Sequence, residues 1–233
     1  MLNRRLFCGC LAAAPFAATA ALAQQECAVF TPERQKDISI DQALARLVDG
    51  NARFVGGKSV NCDRMAQVRA TGGGQAPFAA VVGCIDSRVP PEMVFDQGIG
   101  DLFTARVAGN FVNTDILGSM EFATAVAGAK VLVILGHNSC GGIKGAIDNV
   151  ELGNLTSMLK NFEPAMRSVG KVEGEQNSHN GEWVQRVAVA NARLTAQSVP
   201  TRSKVMGDLV AAGKLKIVAA MHDIGTGKVT FLT

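Results

Sequence analysis

The sequence predicts an α/β domain, a central, mostly parallel β-sheet flanked by helices. Three observations carry that prediction. Residues 78–82 (Phe78-Ala79-Ala80-Val81-Val82) and residues 131–135 (Val131-Leu132-Val133-Ile134-Leu135) are continuous apolar runs, as strands covered on both faces require. Each run stops at a glycine, Gly83 or Gly136, and leads directly into polar and sulfur-bearing residues. Stretches of helical periodicity separate the runs. With 233 residues and 48% hydrophobic composition, the chain can bury one sizeable core without help from disulfides.

The first 23 residues read as a secretion signal. Arg4 and Arg5 precede an apolar stretch from Leu6 to Leu22, and Ala21-Leu22-Ala23 supplies a small-residue cleavage site, with cleavage expected after Ala23. The segment Asn3-Arg4-Arg5-Leu6-Phe7 resembles a twin-arginine signal, and an ordinary Sec signal is the alternative. No later segment reaches the roughly 20 apolar residues of a membrane span. The expectation is therefore a periplasmic or otherwise exported protein, its single soluble domain running from residue 24 to 233.

In that domain Ile40, Ala43, Leu44, Leu47 and Val48 recur at helical spacing, with Asp41 near the start and Gly50 just past the expected end. A second short helix is expected over residues 61–69, broken by Thr71-Gly72-Gly73-Gly74. Gly57-Lys58-Ser59 imitates the end of a phosphate-binding loop, but Ala52 occupies the place of the first glycine and no strand precedes it. After the strand at 78–82 come a short strand at 102–107 and a helix at 116–127. The strand at 131–135 is followed by helices at 152–167 and 183–199, joined by a polar Gly, Asn and Ser loop. A last strand at 215–221 turns through Gly225-Thr226-Gly227 into an edge hairpin at 229–232. There is no internal repeat and no linker.

The formal charge is +3, and loss of Arg4 and Arg5 with the leader leaves 21 basic against 20 acidic residues. That balance, an aromatic content of 5% and the absence of tyrosine exclude a nucleic-acid-binding surface. Cys8 and Cys10 leave with the leader, so the mature chain keeps Cys27, Cys62, Cys84 and Cys140. Four cysteines in an oxidising compartment suggest disulfides. Only Cys84 and Cys140 sit in motif contexts, which leaves Cys27 and Cys62 as a candidate bridge.

Two strand ends deliver soft or borderline metal ligands: Cys84 after the first, His137 and Cys140 after the third. Carboxyl ends of parallel strands converge on one crevice. If the chain turns helical after His137, positions i and i+3 face the same side, and one metal takes both. Two thiolates and an imidazole suit Zn²⁺, one per chain, and three protein ligands leave the fourth tetrahedral position to water. Asp86 and Arg88 follow the first ligand closely. A carboxylate gripped by a guanidinium stays ionised and can orient zinc-bound water, whereas with Arg88 turned away Asp86 itself can close the site as a ligand. A Cys84–Cys140 disulfide and a merely turn-stabilising Asp86–Arg88 pair are the competing readings. His179 and His222 read as solvated or structural.

Together, Cys84-Ile85-Asp86-Ser87-Arg88 and His137-Asn138-Ser139-Cys140-Gly141-Gly142 resemble the paired signature of β-class carbonic anhydrases. The similarity extends to residues 43–56, Arg106 to Asn110, Gly118 to Phe122 and Asp223 to Gly227. The resemblance implies reversible hydration of carbon dioxide to bicarbonate and a proton by zinc-bound hydroxide, with ligands Cys84, His137 and Cys140 and the Asp86/Arg88 dyad. It implies a substrate pocket of Gln75, Phe103, Phe122 and Gly142, and a homodimer or dimer of dimers whose pocket residues cross between subunits. Gln75 is similar to the glutamine of the plant-like branch and argues against the branch inhibited by bicarbonate. Phe122 stands where a tyrosine is common, so any role of that hydroxyl is absent. Hydrolysis of carbonyl sulfide or carbon disulfide on the same fold, and a non-catalytic zinc-binding or disulfide-stabilised exported protein, are the alternatives.

Overall fold

A computed structural model describes residues 27–170 and 172–232. The expected leader, with Cys8 and Cys10, lies outside the described residues. Among the described residues the strands are β1 (Ala79–Gly83), β2 (Leu102–Arg106), β3 (Val131–His137), β4 (Lys216–His222) and β5 (Val229–Leu232), joined in one sheet of order β2-β1-β3-β4-β5. The first four run parallel, and β5 is antiparallel to β4. In register, Gly83 pairs with Leu135 and His137 with His222, so the carboxyl ends of β1, β3 and β4 open on the same edge.

The sheet is sandwiched, and the period-2 alternation of its side chains assigns the two faces. Ala79, Val81, Val131, Val133 and Leu135 cluster with Ala43 and Leu47 of the helix Ile40–Val55. Ala80, Val82, Leu132 and Ile134 cluster instead with Met120 and Met206, from the helices Thr114–Glu121 and Lys204–Ala211. Near the carboxyl edge, Trp183, Val187, Ala188 and Ala192 of the long helix Gly181–Arg202 pack on Met221, Cys84 and Cys140. Leu47, Phe78 and Ile134 are wholly buried, each contributing about 2 kcal/mol of apolar transfer.

Three helices depart most from the sequence reading, and the short helix expected over residues 61–69 runs instead from Arg64 to Thr71. Helix Ile40–Val55 starts on a capping box, in which Ser39 Oγ accepts from the Gln42 N–H and Gln42 Oε1 accepts from the Ser39 N–H. It does not end before Gly50 but runs through it, because Gly50 is a contact residue: a Cβ there would lie 1.9 Å from the Phe95 carbonyl oxygen. The expected helix at 152–167 is instead three pieces, Gly153–Leu159, a 3₁₀ turn Lys160–Phe162 and Glu163–Ser168. Pro164 cannot donate a backbone hydrogen bond, so the chain tightens before it and turns Phe162 fully into the core against Phe111. The expected helix at 116–127 ends at Glu121 and finishes as a single π-helical turn, Phe122–Val126.

A disulfide joins Cys27 to Cys62 across 35 residues, and Gln67 Nε2 donates to the Cys27 carbonyl beside it. Removing it through Cys27→Ser with Cys62→Ser frees that loop in the unfolded chain and is expected to cost about 3–4 kcal/mol of stability. Chemical denaturation reads the loss directly, and an unchanged midpoint contradicts it.

Candidate metal centre

The ligating atoms of Cys84, His137 and Cys140 all lie within 4.8 Å of one another, and all three residues are buried. Both cysteines are free thiols. Cys84 is delivered by the end of β1 and His137 by the last residue of β3. Cys140 arrives differently from the helical i, i+3 step expected for it. The strand ends at His137, Ser139 turns the chain with a positive φ of 52°, and Cys140 is the extended N-cap of the helix Gly141–Ile147. A tight turn therefore brings the two ligands together, and the helix begins only after the second.

The surrounding groups are those a metal-binding set requires. His137 Nδ1 lies 2.8 Å from the Asn138 carbonyl, which can only accept, so Nδ1 carries the proton and Nε2 keeps its lone pair. That Nε2 is buried without a hydrogen-bond partner. Cys84 Sγ accepts from the N–H groups of Asp86 at 3.4 Å and Gly109 at 3.3 Å, both of which favour a thiolate. A hydrogen bond from Cys140, opposed by burial and aided by His137, pulls the Cys84 thiol well below its ordinary range. The same bond and burial push the Cys140 thiol up, against the N–H groups of Ile143 and Gly142. Two adjacent buried thiolates repel each other, and a cation is what makes them compatible. This donor set fits a zinc ion.

Asp86 stands at the rim, its Oδ2 4.0 Å from His137 Nε2. Arg88 grips both of its carboxylate oxygens, Nε to Oδ1 at 2.9 Å and Nη2 to Oδ2 at 2.7 Å, and the Arg88 N–H adds a third bond to Oδ1. These bonds, first among them those from the Arg88 side chain, hold the Asp86 carboxyl far below the usual carboxylate range. Asp86 is therefore ionised, and its pairing with Arg88 persists, at every pH above that depressed value, including the whole neutral range.

Three further residues hold the turn between ligand and dyad in place. Arg106 donates from Nε to the Cys84 carbonyl and from Nη2 to the Asp86 carbonyl, fixing the turn between ligand and dyad. Gly109, at φ 80°, presents its N–H to Cys84, and a Cβ on it would lie 2.3 Å from the Phe162 ring. Asn191, buried on the long helix, donates to the Gly109 carbonyl at 2.7 Å. Only Arg106 and the glycine stood in a recognised segment. Nothing in the local pattern separates Asn191 from any other polar residue on a helix.

The expected substrate residues divide. Gly142 abuts Ala108 and Gly109 beside the cluster. Gln75, in contrast, is exposed ahead of the amino end of β1, with roughly 16 Å of strand rise between Ala79 and Cys84. Phe103 pairs with Ala80 in the amino half of β2 and meets Phe122 edge to face at 6.1 Å, and Phe122 is 51% exposed. A single chain therefore does not bring Gln75, Phe103 or Phe122 to the cluster, because the sheet holds them towards its opposite edge.

Known proteins bear on this arrangement at two levels. A family model described as carbonic anhydrase matches residues 79–229. The chain is 33% identical over 192 residues to carbonic anhydrase 2 of Mycobacterium tuberculosis, covering 80% of this chain and 89% of that protein. Its fold is similar to the crystal structure of the β-carbonic anhydrase CafA of Aspergillus fumigatus, with a TM-score of 0.63 at 25% identity, over 82% of this chain and 89% of that one. It is also similar to a structure from Sordaria macrospora described as one of two tetrameric β-carbonic anhydrases, with a TM-score of 0.62 at 26% identity, over 81% of this chain and 96% of that one. With the cysteine–histidine–cysteine cluster at the carboxyl edge of a parallel sheet, these likenesses place the chain in the β class of the carbonic anhydrase family, and it is a carbonic anhydrase enzyme.

Proposed function

We propose that the chain hydrates carbon dioxide to bicarbonate and a proton at one zinc ion held by Cys84, His137 and Cys140. The observation that carries this reading is the convergence of two sulfurs and an unpartnered, buried imidazole nitrogen within 4.8 Å. When bound, zinc supplies a Lewis acid that lowers the pKa of water towards neutrality, to about 7 in the three-histidine enzyme and somewhat higher with two thiolates. Asp86, ionised and held by Arg88, accepts a hydrogen bond from the attacking water and turns its lone pair towards the carbon dioxide carbon. The grip of Arg88 on both carboxylate oxygens favours this orienting role over ligation by Asp86.

The pocket is completed by a second subunit in this reading. Gln75, Phe103 and Phe122 are too far from their own cluster to serve it, and exposed Phe122, Met93 and Val126 are the kind of apolar surface that a partner covers. A homodimer or dimer of dimers follows, with Gln75, Phe103 and Phe122 of one subunit facing the Cys84 cluster of the next and Gly142 supplied by the cluster's own chain. Residues 1–23 direct export, and the mature protein, residues 24–233, works in the periplasm as one catalytic domain. The Cys27–Cys62 disulfide supports an oxidising compartment. Among the described residues no helix is long and apolar enough to cross a membrane.

Stopped-flow assay of the purified, zinc-loaded protein with carbon dioxide, carbonyl sulfide and carbon disulfide tests the substrate. Rapid hydration of carbon dioxide is expected. A rate no faster than buffer from neutral to alkaline pH, or turnover of the sulfur compounds alone, overturns the reading.

A further inference from the structure

Asn138 follows the proposed metal ligand His137, and each of its four polar groups has a partner. Its N–H donates to the His222 carbonyl at 3.2 Å, carrying the β3–β4 ladder one step past His137. Its carbonyl accepts from His137 Nδ1 at 2.8 Å. In the side chain, Oδ1 accepts from the Ile224 N–H at 2.9 Å, and Nδ2 donates to Asp223 Oδ2 at 3.0 Å. A backbone N–H only donates and a carboxylate only accepts, so the amide has one orientation.

The other end of this grip is the tight turn between β4 and β5. Asp223 Oδ1 accepts from the N–H groups of Gly225 and Thr226 and from the Thr226 hydroxyl. These donors, those of Thr226 first, hold the Asp223 carboxyl below the ordinary carboxylate range and make its bond to Asn138 charge-assisted. The Asp223 N–H donates to the Lys228 carbonyl and the Asp223 carbonyl accepts from the Gly227 N–H, both at 2.8 Å, which closes the turn. On the near side, the carbonyl that receives His137 belongs to the peptide between Asn138 and Ser139, and Ser139 takes a φ of 52°. A residue with a side chain holds that left-handed conformation at a cost, so its surroundings must impose it. Asn138, pinned at its N–H and at both ends of its amide, is the neighbour placed to do so.

We propose that Asn138 is a positioning residue: anchored to Asp223 and to the Ile224 N–H, it keeps its carbonyl on His137 Nδ1, which fixes the tautomer of the imidazole and the direction of Nε2. The grip stands on its own geometry and rests on the zinc reading only for its effect on the metal. The turn after β4 thereby sets how firmly the histidine is aimed.

The chain has three histidines, so ring signals of the purified protein carrying ¹⁵N-labelled histidine are few, and His137→Gln assigns the one of interest. In the wild type the Nδ1 proton of His137 is expected to exchange slowly with solvent. Asn138→Ala removes both side-chain bonds and should speed that exchange about ten-fold or more. It should also weaken zinc binding, measured by competition with a chromophoric chelator, about 10- to 100-fold, as loss of an outer partner of a ligating histidine does. Asn138→Asp alone sets two carboxylates face to face and should lose the protection too. Combined with Asp223→Asn it exchanges donor and acceptor: the amide now at position 223 donates to the carboxylate, and its oxygen still accepts from Gly225 and Thr226, so protection should return. Wild-type protection in Asn138→Ala, or a double variant no better protected than Asn138→Asp, overturns the proposal. Where His137→Gln itself loses zinc, unchanged zinc affinity in Asn138→Ala overturns it as well. Full zinc content in His137→Gln, with protection still lost in Asn138→Ala, faults the ligand set and upholds the grip.

Discussion

Cys84→Ser is expected to take bound zinc from about one ion per chain to near zero and carbon dioxide hydration to the rate of buffer. Three protein ligands are the minimum set of a catalytic zinc site, and a serine hydroxyl is neutral where the thiolate is anionic. The shorter Cβ–Oγ bond also draws the acceptor back from the N–H groups of Asp86 and Gly109, which donate to Cys84 Sγ in the native chain. The change in volume is small and the core around Trp183 and Cys140 is otherwise unaltered, so the fold should survive with a modest loss of stability. Metal analysis together with circular dichroism separates the two effects. A folded variant that still holds one zinc per chain removes Cys84 from the site.

Asp86→Asn is expected to do the opposite for metal and nearly the same for turnover: zinc is retained, and the rate falls about 10²- to 10³-fold, the range found when one preorganised hydrogen-bonding group is lost from a reacting centre. An amide has a single acceptor oxygen. If that oxygen faces Arg88, the NH₂ group faces the reacting water as a donor where an acceptor is needed. If it faces the water, the NH₂ group confronts the guanidinium and the two-point grip is lost. Because Arg88 keeps Asp86 ionised throughout the neutral range, the loss should be uniform across pH and should not be recovered by raising it. Wild-type turnover in this variant would take Asp86 out of the mechanism.

The parts of this structure that were legible in the sequence are those where one local pattern has one structural consequence. Val131 to Leu135 is apolar at every position and has no other use than a strand covered on both faces, and the neighbouring His137 and Cys140 inherit their place from that strand's end. Asp86 and Arg88 are two residues apart on a turn, close enough for spacing alone to pair them. The failures arise where the deciding contact is distant in sequence. Gly50 looked like a helix stop because its close neighbour, Phe95, is 45 residues away, and mid-helix glycine is ordinarily a penalty. Phe162 and Pro164 together break a helix that periodicity alone extends across them. Asn191 supports Cys84 only through Gly109, a two-step relation across three elements. Gln75, Phe103 and Phe122 carry no local sign of which subunit they serve, because that depends on how two copies of the sheet meet.

Zinc K-edge absorption spectroscopy of the purified protein counts the atoms around the metal and so reads the cysteine–histidine–cysteine set itself. Two sulfurs at about 2.3 Å, one nitrogen at about 2.0–2.1 Å and one further light atom from solvent are expected. A protein that takes up no zinc because Cys84 and Cys140 are bonded to each other, or a metal shell lacking either sulfur, would contradict it.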